Sequence, residues 1–176
     1  MSVLSTSGTE GGAAVTLEVG TGVVASFKAA FRGYPTGVAV IAAAGPDGPV
    51  GLTASSVASV SLAPPALSFS VMDSPSARLI VAAGSFVVHL LGAAHEDLAR
   101  QFAQPGGRRF TADQPWTTLP TGEPLLHGVP AALRCTALHR LPVGSSTVVV
   151  AEVADAWIGP ADAPLTYRER EFHTSP

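Results

Sequence analysis

The stretch from Val50 to Met72 concentrates the side chains with the clearest potential for chemistry. It contains no Lys, Arg or Glu, and seven hydroxyl residues lie among its apolar ones: Thr53, Ser55, Ser56, Ser59, Ser61, Ser68 and Ser70. Hydroxyls and free backbone N–H groups at the end of a strand can hold an anion such as phosphate. The alternative is a pair of Ser-rich strands whose hydroxyls bond the local backbone. The residues of this stretch leave both interpretations open.

No set of acids, bases or nucleophiles accompanies these hydroxyls. The sequence lacks the G-x-S-x-G, P-loop and G-x-G-x-x-G patterns. Its five histidines are scattered, and Cys135, the only cysteine, cannot form a thiolate zinc site. Glu96 and Asp97 are adjacent in a predicted helix, so their carboxylates point in different directions. An enzyme with these residues is expected to take its chemistry from a cofactor.

Length and composition favour one domain and argue against several classes of function. A chain of 176 residues is long enough to bury one core. The net charge of −3, without a basic cluster, argues against nucleic-acid binding. No apolar run approaches the ~18 residues of a membrane span, and the N-terminus has no signal-peptide pattern. One cysteine excludes an internal disulfide, so we expect a cytoplasmic protein with Cys135 as a buried thiol.

The spacing of apolar and turn residues predicts a mostly-β chain. Residues 1–21, rich in Ser, Thr and Gly, are expected to be a flexible tail before a domain at 22–176. Helices are predicted at 22–33, 76–83 and 94–103. Strands are predicted at 37–44, on both sides of a bend within 50–72, and at 86–91, 131–141 and 147–158. An irregular loop is predicted at 104–130. Several short strands with few, short helices are typical of a β-barrel.

Seven segments, in this order, resemble motifs of the flavin reductase-like domain family. They are Pro35–Val38, Gly51–Ser56, Ser59–Pro65, Ser85–Leu91, Leu98–Ala103 with Phe110, Val150–Val153 and Pro164–Tyr167. Together they cover roughly residues 23–173. Two positions depart from the family pattern, because His89 replaces an asparagine and Ala151 replaces a glycine. The resemblance implies the FMN-binding split-barrel fold for nearly the whole chain.

The resemblance also implies a groove on the barrel that binds FMN or FAD, usually at the interface of a homodimer. Thr36 and Gly37 would lie beside the isoalloxazine ring. Phe102 and Ala103 would close one side of that ring. Contacts to the ring edge, ribityl chain or phosphate would come from Thr53, Ala54, Ser55 and Ser56. The segment that approaches the phosphate corresponds to Ser70, Ser74, Ser76 and Arg78.

The implied function is that of an NAD(P)H:flavin oxidoreductase, which uses NADH or NADPH and supplies reduced flavin to a partner monooxygenase. Two alternatives stay open: a flavin-retaining oxidase or oxygenase acting on a small organic substrate, and a non-catalytic flavin-binding protein. The choice depends on a loop where the family has Gly-Asp-His and this chain has Gly144-Ser145-Ser146. In the family that histidine lies near the nicotinamide. Ser145 and Ser146 therefore form the candidate nicotinamide loop, and weaker nicotinamide binding is expected. The side chains that could substitute for the histidine are Arg140, His139 and His173.

Overall fold

The computed structural model describes residues 21–174, so residues 1–20 of the predicted tail lie outside the described residues. Three short helices are present: α1 (Thr21–Arg32), α2 (Pro75–Ala82) and α3 (Glu96–Ala103), the last preceded by a 3-10 turn at Ala93–His95. The first six strands are β1 (Thr36–Gly37), β2 (Ala39–Gly45), β3 (Gly48–Ala54), β4 (Ala58–Leu62), β5 (Pro65–Met72) and β6 (Ser85–Leu90). The other six are β7 (Trp116–Thr118), β8 (Pro124–Leu126), β9 (Ala131–Val143), β10 (Ser146–Ile158), β11 (Leu165–Arg168) and β12 (Glu171–Thr174).

The main sheet has seven antiparallel strands in the order β3-β2-β6-β9-β10-β5-β4. Strand β3, at one end of this order, also contacts β5 near the other end, so the sheet curls towards a barrel. Two small sheets flank it, one formed by β1, β11 and β12 and the other by β7 and β8. The contact between β3 and β5 matters for function, because both strands carry the hydroxyls that the sequence singles out.

Strand β2 divides the core into two parts, since successive side chains of a strand point to opposite faces. Ala39 and Ile41 face the barrel interior, where α2 packs and where Phe69 and Phe86 meet edge to face with ring centroids 5.3 Å apart. Val40 belongs to the second cluster, which α3 covers. Both short helices are therefore fixed on the sheet by buried apolar contacts, and their ends can position side chains for a site.

The predicted mostly-β class and the three helices are confirmed, with helix ends that differ by at most two residues. The stretch from Val50 to Met72 was predicted as two strands, but it contributes to three, because β4 forms a separate hairpin with β5. The loop predicted at 104–130 contains the β7–β8 hairpin. Strands β11 and β12 were not predicted. None of the helices in residues 21–174 is long and apolar enough to cross a membrane.

Candidate functional site

A cavity of about 700 Å³ opens between the end of β3, the end of β5, the start of α2 and the end of α3. We call it the main cavity. Nine of the twelve residues predicted to contact flavin line it: Thr53, Ala54, Ser55, Ser56, Ser70, Ser74, Ser76, Phe102 and Ala103. Leu52, Val71 and Met72 add apolar surface. Four separate chain segments thus bring the predicted residues together around one space.

Two of the lining hydroxyls hold the walls of the main cavity in place. The Thr53 hydroxyl donates to the carbonyl oxygen of Ala99 at 2.6 Å, which fastens α3 to β3. The Ser56 hydroxyl donates to the Ser70 carbonyl at 2.8 Å and accepts from the Ser70 N–H at 2.9 Å. The Ser56 hydroxyl therefore satisfies both backbone groups of Ser70, as a neighbouring strand would. Within residues 21–174, the structure gives the Ser55 hydroxyl no hydrogen-bond partner, so it is free to meet a ligand.

The start of α2 forms another wall. The Ser74 side chain caps this helix by accepting from the Ala77 N–H at 3.1 Å, and Pro75 occupies the first turn, where its missing N–H costs nothing. The Arg78 N–H donates to the Ser74 carbonyl at 2.9 Å. Ser76 also lines the cavity. The positive end of the helix dipole is thereby directed at the main cavity, where it favours a negative charge.

Arg78 itself does not line the main cavity. Its guanidinium forms two hydrogen bonds with the Asp73 carboxylate, at 2.6 and 2.7 Å, and these bonds lower the pKa of Asp73. The Arg78 side chain lines a different cavity of about 310 Å³, together with Ser145 and Ser146. The predicted phosphate arginine thus lies on the side of α2 that faces the loop between β9 and β10.

The arginine that lines the main cavity is Arg109, whereas the family resemblance implied Arg78 near the phosphate. The Arg109 Nη1 donates to the Ser76 hydroxyl at 3.0 Å and its Nη2 to the Gln104 carbonyl at 2.5 Å. Its Nε is buried and has no hydrogen-bond partner in the part of the chain that the structure describes, and burial lowers the pKa of the guanidinium. A buried donor of this kind needs an acceptor, which a bound ligand could supply. The one signal in the sequence was its position beside Phe110, the last residue of a family motif.

Thr36 and Gly37 lie apart from the main cavity. Strand β1 pairs them with Tyr167 and Thr166 of β11. Thr36 lines a neighbouring cavity of about 550 Å³ beneath α1, which we call the helix cavity and which Ser55 also lines. Gly37 lines none of the cavities described for residues 21–174. The structure therefore places Thr36 next to the predicted cluster and Gly37 outside it.

The candidate nicotinamide loop closes the β9–β10 hairpin, with Gly144 at a φ of 59°. The Ser145 carbonyl accepts from the Asp73 N–H at 3.0 Å, which ties the loop to the end of β5. Arg140, His139 and His173, the proposed substitutes for the family histidine, do not line a cavity at this loop. Arg140 donates to the carbonyls of Val81 and Ala83 at the end of α2, at 2.5 and 2.8 Å. Neither it nor His139 nor His173 lines any of the cavities described here.

His89, at the position of the family's asparagine, is fully buried. Its Nε2 accepts from the Leu126 N–H at 3.0 Å, so its Nδ1 carries the proton and faces the Val40 carbonyl at 3.2 Å. Burial lowers the pKa of His89 to about 4. Cys135 is buried as predicted, and burial raises the pKa of its thiol to about 12. Both groups are structural, because neither lines the main cavity.

The chemistry available in the main cavity is binding and positioning. Among the described residues, its titratable side chains are Asp73, which Arg78 already pairs, and Arg109. No group of His, Cys, Asp or Glu within residues 21–174 could hold a metal ion. The cavity lining combines hydroxyls, a helix N-terminus and one arginine with apolar side chains. This combination suits a ligand with a flat ring and a phosphate.

Comparison with known proteins agrees with this geometry. The family model for the flavin reductase like domain matches residues 31–176. An NADH:FMN oxidoreductase of Rhodococcus erythropolis is 41% identical over 166 residues, covering 91% of this chain and 86% of that protein. A flavin reductase domain protein from Arthrobacter sp. FB24 superposes with a TM-score of 0.81 at 33% identity, covering 87% of this chain and 96% of that one. The styrene monooxygenase flavin reductase of Pseudomonas putida S12 superposes with a TM-score of 0.76 at 28% identity, covering 86% and 97%. The chain therefore belongs to the flavin reductase-like domain family, and the split-barrel fold implied by its motifs is confirmed.

Proposed function

We propose that this chain is an NAD(P)H-dependent flavin reductase, formed by residues 22–176, whose flavin binds in the main cavity. The observation that carries the proposal is Arg109, whose buried Nε has no partner among residues 21–174 and which lines the main cavity together with Ser55 and the start of α2. A phosphate would complete this arrangement, because it supplies acceptors to an arginine and a helix N-terminus together. A volume of about 700 Å³ lies within the range of small-molecule sites.

We assign the flavin phosphate to Arg109, Ser76 and Ser55 of the main cavity lining. The ring would lie against Ala103 at the end of α3, above the buried Phe102. The Thr53 and Ser56 hydroxyls keep the two walls at a fixed separation, so their contribution to binding is indirect. Arg109 replaces Arg78 in this assignment, because Arg78 is paired with Asp73 and does not itself line the main cavity.

A bound flavin supplies a ring system that accepts a hydride from NADH or NADPH. The chain's own contribution is to orient the reactants and to exclude water from the ring. It needs no side-chain acid or base for this role, in agreement with the absence of a free one in the cavity lining. Arg109 stays charged at any working pH and would neutralise the flavin phosphate throughout.

We further propose that the reduced flavin leaves the site and serves a partner monooxygenase. The relative from Pseudomonas putida is named as the flavin reductase of a styrene monooxygenase. Among the described residues, Arg109 is the single cation of the main cavity lining and forms no ion pair, which suits moderate affinity and release.

A homodimer is the assembly that we propose for this function. Helix α1 exposes Phe27 and Phe31, with relative exposures of 61% and 59%, and Tyr34 just beyond it is 62% exposed. These rings lie at one end of the helix cavity, whose other lining residues include Ser55 and Ser56 of the main cavity. A second copy that covered this apolar face would also close the flavin site from outside.

The function is tested by following NADH and NADPH oxidation while FMN is added in increasing amounts. A rate that rises with FMN and then saturates supports the reductase assignment. Oxidation that does not depend on added FMN, with a protein that is colourless as purified, contradicts it. A purified protein that is yellow and keeps its flavin on gel filtration contradicts the release step and favours the flavin-retaining alternative.

A further inference from the structure

The hairpin of β11 and β12 has an unusual turn. Its two central residues, Glu169 and Arg170, both have positive φ angles, of 54° and 69°. Turns of this type are normally formed by Asn and Gly, because other side chains are strained there. The Glu169 N–H donates to the Arg32 carbonyl at the end of α1 at 2.8 Å, which fixes the turn. The hairpin therefore fixes the backbone at Arg170 in spite of its conformational cost, and the Arg170 side chain is exposed.

Arg170 lines a cavity of about 290 Å³, which we call the hairpin cavity. This cavity shares Thr53, Ser55 and Ala103 with the main cavity, so the two spaces adjoin. Among residues 21–174, Arg170 is the only charged residue that lines it. Within residues 21–174, the structure gives its guanidinium no ion pair and no hydrogen bond. The hairpin cavity thus adds a free cation directly beside the proposed flavin site.

Two aromatic rings form the wall next to Arg170. Tyr167 and Phe172 have ring centroids 5.2 Å apart and planes inclined at 58°. The Arg100 guanidinium lies 5.1 Å from the centroid of Phe172, and Glu96 holds Arg100 in place. Aromatic rings offer a stacking surface to a flat base, and an arginine offers paired donors to a phosphate. The combination matches a purine nucleotide rather than a simple anion.

We propose that the hairpin cavity binds the adenosine phosphate half of a dinucleotide, with Arg170 on the phosphate and the Tyr167–Phe172 pair against the adenine. This inference rests on the proposed reductase function. NADH, NADPH and FAD carry that half, whereas FMN lacks it. Arg170 would then offset the missing histidine in the loop at Ser145 and Ser146. It acts on affinity for the dinucleotide and is a specificity-determining residue.

The test measures binding of ADP to the flavin-free protein by calorimetry in wild type, Arg170→Gly and Arg170→Asn. Glycine and asparagine both tolerate the positive φ, so these variants keep the turn. Arg170→Gly should even raise the melting temperature by about 2–4 °C, because the strain is relieved. The dissociation constant for ADP should increase about tenfold or more, as expected for a lost charged hydrogen bond. Arg168→Ala is the matched control, since it removes the same charge from the same hairpin without altering the hairpin cavity lining.

Titrations with FMN, FAD and NAD⁺ distinguish the sources of the adenosine phosphate. Weaker NAD⁺ binding in the Arg170 variants supports a nicotinamide nucleotide, and weaker FAD binding at unchanged FMN affinity supports FAD. Three results would overturn the inference. ADP does not bind the wild type, ADP binds the Arg170 variants as tightly as the wild type, or Arg168→Ala weakens ADP binding as much as the Arg170 variants do. FMN that fails to bind wild type contradicts the proposed function instead, so the two failures are distinguishable.

Discussion

The hydroxyls of the main cavity look equivalent in the sequence, but their hydrogen bonds separate them. Thr53 and Ser56 each donate to a backbone carbonyl of another segment, so their protons are already used. Ser55, between them, has no such partner within residues 21–174. A ligand that enters the cavity gains most from the hydroxyl that the fold has left free.

The first prediction compares two neighbouring serines. In Ser55→Ala, the dissociation constant for FMN should rise about tenfold, because one hydrogen bond to a charged group is lost. Its melting temperature should not change. In Ser56→Ala, FMN affinity should be retained while the free energy of unfolding falls by about 1 kcal/mol, since Ser70 loses its partner. Fluorescence quenching and thermal unfolding measure both quantities. A larger loss of affinity in Ser56→Ala would contradict this division of roles.

The second prediction concerns Arg109. Arg109→Ala should weaken FMN binding at least tenfold, because a phosphate would lose a charge-assisted hydrogen bond. Riboflavin has the same ring without the phosphate, so its affinity should be nearly unchanged. Arg108→Ala is the matched control, because Arg108 precedes it directly but does not line the main cavity. An equal loss for FMN and riboflavin would mean that Arg109 only supports the cavity wall.

The sequence predicted those site residues whose side-chain direction follows from their position in a strand or at the start of a helix. The hydroxyls at the ends of β3 and β5 and the start of α2 all reach the main cavity. Arg78 does not, because it is paired with Asp73 and lines the smaller cavity beside Ser145 and Ser146. Arg109 lies outside any helix or strand, next to the equally basic Arg108, and only the packing of its loop against α3 distinguishes the two.

At the scale of elements, the approach of α3 to β3 determines the width of the main cavity. Gly51 makes this approach possible, because a Cβ atom there would lie 2.6 Å from the Phe102 ring and 3.2 Å from the Phe110 ring. The two rings meet edge to face, with centroids 5.1 Å apart. The glycine of the family-like segment Gly51–Ser56 thus has a packing role in this chain.

The third prediction tests this close approach. Gly51→Ala should lower the free energy of unfolding by about 1–3 kcal/mol, as is typical when an overpacked core has to shift. Gly84→Ala serves as the control, because a Cβ there would meet no atom within 4 Å. Chemical denaturation measures both variants. A Gly51→Ala protein as stable as the control would show that α3 can move away without cost.

The elements that the sequence missed are those whose stability comes from distant partners. Strands β11 and β12 are four residues long, and their turn has no glycine to indicate a hairpin. β1 joins them as the third strand of their sheet. Strand β4 lies at the sheet edge with mostly exposed residues, so no alternation of buried and exposed positions distinguishes it. By contrast, the long strands β9 and β10 were predicted within a few residues.

At the scale of the whole molecule, α1 has an apolar face without a partner in the described part of the chain. The fourth prediction is that a second copy covers it, through an interface above ~1,000 Å². Light scattering at micromolar concentration should give the mass of a dimer. Phe31→Glu should shift the protein towards monomer, whereas Ala29→Glu, with the same charge on the opposite side of the helix, should remain dimeric. A monomeric wild type would contradict the prediction.

The most direct test of the central claim is anaerobic mixing of the purified chain with FMN and either NADH or NADPH, while the yellow flavin absorbance is followed. The absence of oxygen prevents reoxidation, so each reduced flavin is counted. We predict rapid bleaching with at least one of the two nicotinamide nucleotides, and much slower bleaching at the same flavin concentration without protein. If neither nucleotide bleaches FMN that is demonstrably bound, the chain is not a flavin reductase.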